Sequence, residues 1–230
     1  MLIRLGLEVG FENTRTLCWG LDYPGCFTYG ADAAEALLRF PQALLTHAAW
    51  VALHTNSPWI DLEDMDFGVV ESFEVYSIQT DGHTYEVNAF FADDLRPPSD
   101  TEVNHALLLH QWQREELLAG VETLPEEFVN QLYPGQLWSV KGILSHIAKV
   151  EHFYFDCLEL PSPKLTSEDP FELLEQQSQV IHQALPGLVD LDRQTSYMTE
   201  IWSPRKFIRR LLWHQRDHIG HIRELVNQYM

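Results

Sequence analysis

Hydrophobic periodicity changes once along this chain, near residue 95, and that change restricts the fold to two differently built parts. Before it, apolar residues alternate or cluster in short β-rich segments: LIRLGLEV (2–9), RTLCWGLD (15–22), CFTYG (26–30), VESFEVYSI (70–78) and TYEVNAFF (84–91). The last two are predicted to pair across TDGH, because Asp81-Gly82 tolerates the positive φ angles of a tight hairpin turn. One helix is predicted at about 31–53 with a bend at Pro41, followed by an acidic loop over 54–68.

After ADDLRPPSD the pattern is helical to the end, and each helix carries a start signal. Ser99 with Glu102 forms a capping box for a helix at about 100–121. A second, at about 138–159, repeats apolar residues at Val140, Ile143, Ile147, Val150 and Tyr154. Asp169-Pro170 opens a third that ends near Leu185, and Ser203-Pro204 opens a fourth. The expectation is an α+β chain of two domains: residues 1–95 forming a sheet with one main helix, and residues 96–230 forming an antiparallel four-helix bundle. The connections between those helices, about 10–18 residues, are longer than bundles ordinarily use.

Charge narrows the partners. The formal net charge of −19 argues against nucleic acid, whose phosphates require a basic surface. The acidity lies mainly in the first part, where residues 1–95 hold 3 basic against 15 acidic side chains, while residues 96–230 hold 12 against 19. No apolar run approaches the roughly 20 residues of a membrane span, and MLIRLGLEVGFENTR lacks the features of a signal peptide, so a cytoplasmic protein is expected. Cys18, Cys26 and Cys157 have neither disulfide-framework nor metal-finger spacing and are expected to be reduced.

The stretch HQRDHIGHI (214–222) holds three histidines in nine residues. Spacing alone means little, since eleven histidines in 230 residues produce roughly half an i,i+4 pair by chance. Position means more. Phe207, Leu211, His214, His218, His221 and Leu225 advance by three or four, which is the inward stripe of a bundle helix, and His214 and His218 stand one turn apart on it. In the second bundle helix His146 falls between Ile143 and Val150, on the flank of that helix's own stripe. The plain alternative is three half-buried histidines bonded to neighbours. Three inward imidazoles would otherwise be costly to desolvate, and a divalent cation would use each neutral nitrogen as a ligand while leaving a fourth position open, the pattern of catalytic zinc. His221 is expected to pack or to support a ligand, and His105, His110, His152 and His182 are expected on polar faces or partly buried.

The strings WSVKGILSHIAKVEHFYFD (138–156) and WHQRDHIGHI (213–222) resemble the DinB-like, or YfiT-like, four-helix bundle family over roughly residues 99–230. That resemblance implies a metal site of His146, His214 and His218 for nickel or zinc, and for some members thiol-dependent transferase activity. YPGCFTYGADAAEALL (23–38) is similar to the HicB-like antitoxin domain, a partial RNase H-like fold of three strands, a helix and a further strand. In that family the module binds a small basic protein. Here the first strand offers only Glu8, so nuclease chemistry is not expected; an inert accessory or dimerising role, and hence a homodimer, is the alternative.

Six cations, Arg205, Lys206, Arg209, Arg210, Arg216 and Arg223, lie on the fourth bundle helix and are expected on a solvated face paired with acids. Arg205 and Lys206 occupy the first turn, where the helix dipole disfavours them, so an anion is expected nearby: a small anionic thiol or carboxylate substrate, or the acidic first part itself. Three functions follow: a metal-dependent transferase or hydrolase, with catalytic residues beyond the ligands unassigned; a non-enzymatic interaction protein whose acidic first part binds a basic partner over a scaffolding bundle; and a metal sensor or store. Asp217 and Glu151 are expected to face away from the ligands.

Overall fold

The computed structural model describes residues 1–80 and 82–230. Its first part is a four-stranded sheet in the order β3-β2-β1-β4, built from β1 (Leu2–Gly10), β2 (Arg15–Gly20), β3 (Phe27–Gly30) and β4 (Asp66–Glu74). A single turn, α1 (Phe11–Thr14), joins β1 to β2, and α2 (Ala33–His54) precedes β4. β1 and β2 pair antiparallel, as do β2 and β3, whereas β4 returns parallel to β1. The long crossover through α2 supplies what a parallel return requires.

Alternation along the strands puts Ile3, Leu5, Leu7 and Cys18 against Phe40 and Leu44 of α2. The opposite face, with Leu17 and Trp19, is also buried, against Phe91 and Trp213. A sheet covered on both sides buries polar residues too: Glu8 is fully enclosed and accepts from Trp19 Nε1 at 2.9 Å and Ala89 N at 2.7 Å. Gly30 is required where β3 turns into α2, since a Cβ there would stand 2.2 Å from the Ala36 backbone nitrogen.

The helix α2 is assigned continuously through Pro41. Two details differ from the expectations. The segment 70–78 divides, because Val75 N donates to Val9 O at 2.8 Å and ends the β4 ladder, after which β5 (Tyr76–Thr80) pairs with β6 (His83–Val87). β4 also begins inside the expected acidic loop, at Asp66. Thr80 faces His83 across the hairpin and Gly82 has φ +80°, while Asp81 lies outside the described residues.

Beyond a 3₁₀ turn (Ala92–Leu95) come the long helices α3 (Asp100–Glu122), α5 (Val140–Cys157), α6 (Pro170–Ala184) and α7 (Pro204–Tyr229). Ser99, Ser139, Asp169 and Ser203 cap them by accepting from backbone N–H groups of their first turns. The long connections are structured: α4 (Glu126–Asn130) occupies one, and the hairpin of β7 (Thr195–Tyr197) and β8 (Glu200–Trp202) occupies another. α3 and α5 both pack on α7, and α6 packs on α5. The largest apolar cluster joins Leu5, Phe40 and Leu44 to Leu109, Phe155, Phe207 and Leu211, so residues of both parts share one core. Among the described residues no helix is long and apolar enough to cross a membrane.

The cations of α7 correct the expectation of a solvated face. Arg205, Lys206, Arg209 and Arg210 are all at most 6% exposed. Each reaches a carboxylate from outside the helix: Arg205 to Glu102 at 2.8 Å, Lys206 to Glu200 at 2.7 Å, Arg209 to Asp94 at 2.6 Å and Arg210 to Glu8 at 3.7 Å. The first part and its linker thus supply Asp94 and Glu8, which offset the unfavourable helix dipole and the desolvation of the cations. Arg216 and Arg223 share Glu116, and of the six only Arg223 is well exposed.

Candidate metal centre

Two capped helices bring the candidate ligands together. On α7, His214 and His218 stand one turn apart and are 5% and 8% exposed. On α5, His146 faces them from a half-buried position. Their ligand atoms lie within 4.8 Å of one another: His214 Nε2 is 3.2 Å from His146 Nε2 and 3.1 Å from His218 Nε2. Trp138 stacks on His146 with ring centroids 4.3 Å apart. A glycine at 142 makes room for it, since a Cβ there would come within 2.9 Å of Trp138 Cβ.

These contacts cannot all be hydrogen bonds. An imidazole nitrogen carries either one proton or one in-plane lone pair, so His214 Nε2 can satisfy only one of its two neighbours in good geometry. Additional protons do not resolve this. Burial and then the neighbouring rings hold His214 well below the usual imidazole pKa, burial and His146 take His218 down to about 3, and burial with Lys149 lowers His146. Three neutral rings therefore converge on one point, which suits a cation. The two separations at His214, 3.2 and 3.1 Å, are short enough for nitrogens that would share one small divalent cation. The Nδ1 atoms of His214 and His218 are buried without a hydrogen-bond partner among the described residues.

His218 opens onto a cleft of about 860 Å³ whose lining includes Trp138 and His221 from the bundle and Thr28, Tyr29 and His47 from the first part. His221 is held at 2.7 Å from Gln136 Oε1 and does not join the trio. Asp217 points away from the trio and accepts from Tyr29 Oη at 2.9 Å, while Tyr29 Oη itself accepts from Trp213 Nε1 at 2.9 Å. Burial raises the Asp217 carboxyl to about 6. Glu151 also faces elsewhere, clasping Arg114 at 2.6 Å.

Among the remaining histidines, His105 stacks on Trp59 at 3.9 Å, and His152 Nδ1 lies 2.9 Å from Ser162 Oγ. His182 is half-buried, 5.6 Å from the His110 ring. His110 departs from the expectation: it is fully buried beside Arg114 and Glu151, because that ion pair gives it polar company inside the bundle. Helix phase located the trio, but Trp138, Tyr29 and His47 carry no comparable mark in the sequence, since each meets the site through the tertiary fold.

Residues 109–222 match the family model of the DinB superfamily, and this stretch contains His146, His214 and His218. No curated protein and no solved structure matches the chain.

Proposed function

We propose that His146, His214 and His218 hold one divalent cation, zinc or nickel, and that the protein is a metal-dependent transferase or hydrolase acting on a small thiol or anionic molecule that enters the adjoining cleft. The observation that carries this reading is the double approach of His214 Nε2 to two other ring nitrogens, an arrangement that one proton or one lone pair serves poorly and that a shared cation suits. The DinB superfamily match over the same residues supports it independently. A cation bound there supplies Lewis acidity, lowering the pKa of a thiol or a water at neutral pH.

The chain's own residues do the rest. The trio offers three neutral nitrogens and no anionic ligand, so the site keeps the full charge of the cation. Trp138 covers His146 and limits access of solvent from that side. The cleft admits small molecules beside His218.

For the first part, the order of three antiparallel strands, a helix and a parallel fourth strand supports a HicB-like module over 1–95 followed by the bundle over 96–230. Three free, buried cysteines are in keeping with a cytoplasmic setting. Metal analysis of untagged protein, beside His146→Ala and His214→Ala, tests the central reading. Near one equivalent in the parent and loss in both variants is expected; no metal in the parent, or full retention in the variants, overturns it.

A further inference from the structure

α2 packs chiefly on β3 and β2 and leaves the far edge of the sheet uncovered. On β4, Phe67 and Val69 stand opposite Ile3 and Leu5 and so point to the face that α2 covers, yet they are 36% and 44% exposed. The Phe67 ring reaches only Phe40 of the helix, with centroids 5.8 Å apart.

The adjoining flank of α2 is apolar as well. At about 100° per residue, Ala34, Leu38, Pro41, Leu45, Ala49 and Ala52 fall within an arc of about 80°, and Leu53 lies about 40° beyond it. Arg39, Gln42, Ala43 and Thr46, which line the cleft beside β3, take the opposite flank, so this one is turned toward β4. Leu38 is 82% exposed, Leu45 45% and Leu53 85%, and the three alanines are exposed beside them.

A solvated helix ordinarily carries charge on its outer side. α2 has Glu35 and Arg39 alone, which bind each other at 2.6 Å, and no Asp, Glu, Lys or Arg from Phe40 to His54. A basic partner would find no acid on this flank, and an anionic lipid surface would repel a chain of net charge −19. An equally neutral flank fits. Two copies laid antiparallel about a twofold axis near residues 43 and 44 set each exposed leucine against a compact residue: Leu38 against Ala49, Leu53 against Ala34 and Leu45 against Pro41. With a length of about 29 Å and a width, including the β4 edge, of about 20 Å, the pair would bury about 1,100 Å² in total, just above the roughly 1,000 Å² that a specific interface needs.

We propose that this flank of α2, together with Phe67 and Val69 of β4, is the interface of a symmetric homodimer in which the two α2 helices pack antiparallel. The metal site takes no part in it, and the dimer forms with or without an ion.

Sedimentation equilibrium of the full-length, metal-free chain, from about 1 to 200 µM at about 0.05 and 0.5 M NaCl, is expected to show a reversible dimer with a dissociation constant on the order of 10 µM, tighter at the higher salt because screening relieves the repulsion of two acidic molecules. The double variant Leu38→Glu, Leu45→Glu is expected to weaken it at least about thirtyfold with an unchanged circular dichroism spectrum, while Leu132→Glu, exposed in the second part, leaves it as it was. A chain that stays monomeric throughout, leaving the flank to a foreign partner, overturns the proposal, and so does a dimer that survives the double variant.

Spin labels read the arrangement without altering the apolar flank, since Cys18, Cys26 and Cys157 are buried and Gln42 and Asn56 are exposed. Between copies, labels on Gln42→Cys are expected within about 20 Å of each other and labels on Asn56→Cys about 35 Å or more apart. Equal separations at the two positions, as parallel helices would give, overturn the antiparallel dimer, and this measurement decides if the double variant fails to fold.

Discussion

Replacing Asp94 by Asn removes one charge from the most enclosed ion pair between the 3₁₀ turn and α7 while nearly preserving its shape. Asp94 is 2% exposed and Arg209 5%. Their contact is two-pronged, Arg209 Nη2 to Asp94 Oδ2 at 2.6 Å and Nε to Oδ1 at 3.3 Å, and Arg209 also donates to Ala89 O at 3.1 Å. The guanidinium lies between Trp19 and Phe91, 4.7 and 4.8 Å from their ring centroids, so no water can replace the lost carboxylate without opening the core. Breaking a buried pair from one side costs about 3–5 kcal/mol. For a chain of this length that lowers the melting temperature by about 6–20 °C. Thermal unfolding followed by tryptophan fluorescence measures it, since Trp19 and Trp213 sit at the same junction. The double variant Asp94→Leu, Arg209→Met, which leaves no orphaned charge, is expected to lose less than the single variant. Glu12→Gln, which breaks the exposed Arg15–Glu12 pair, is expected to cost under about 1 kcal/mol. A fall of less than about 2 °C for Asp94→Asn would refute the claim that this junction depends on paired, buried charge.

Further outcomes follow from the same geometry. Metal-stripped protein is expected to lose stability as pH falls from about 6.5 toward 4, because the unfolded chain takes up protons that folded His47, at about 4, and His218, at about 3, refuse. Urea midpoints across that range check this, and a midpoint that is flat or rises on acidification contradicts it. Gly30→Ala places a Cβ 2.2 Å from backbone and is expected to cost more than about 3 kcal/mol or to prevent folding, read from soluble yield and melting temperature. His221→Ala is expected to leave metal stoichiometry unchanged, since His221 is engaged by Gln136; a lost equivalent would make it a ligand.

Much of the architecture was legible because its determinants are local. The caps Ser99, Asp169 and Ser203 mark helix starts within one residue of where α3, α6 and α7 begin. The phase of α7 already placed His214 and His218 together, and the phase of α5 added His146. What was not legible depends on partners distant in sequence. VESFEVYSI reads as one strand, yet it divides at Val75 because β1 ends there as a pairing partner. Arg209 and Arg210 read as a solvated face because charge alone does not reveal that Asp94 and Glu8 meet them inside. His47 reads as an ordinary helix residue until the cleft between the two parts is formed.

X-ray absorption at the edge of the bound metal tests the central claim most directly. The account predicts a first shell of nitrogen or oxygen at about 2.0–2.1 Å with the multiple-scattering pattern of three imidazoles, reduced to two in His146→Ala if any metal is retained. A sulfur shell at about 2.3 Å, or fewer than two imidazoles in the unmodified protein, would contradict it.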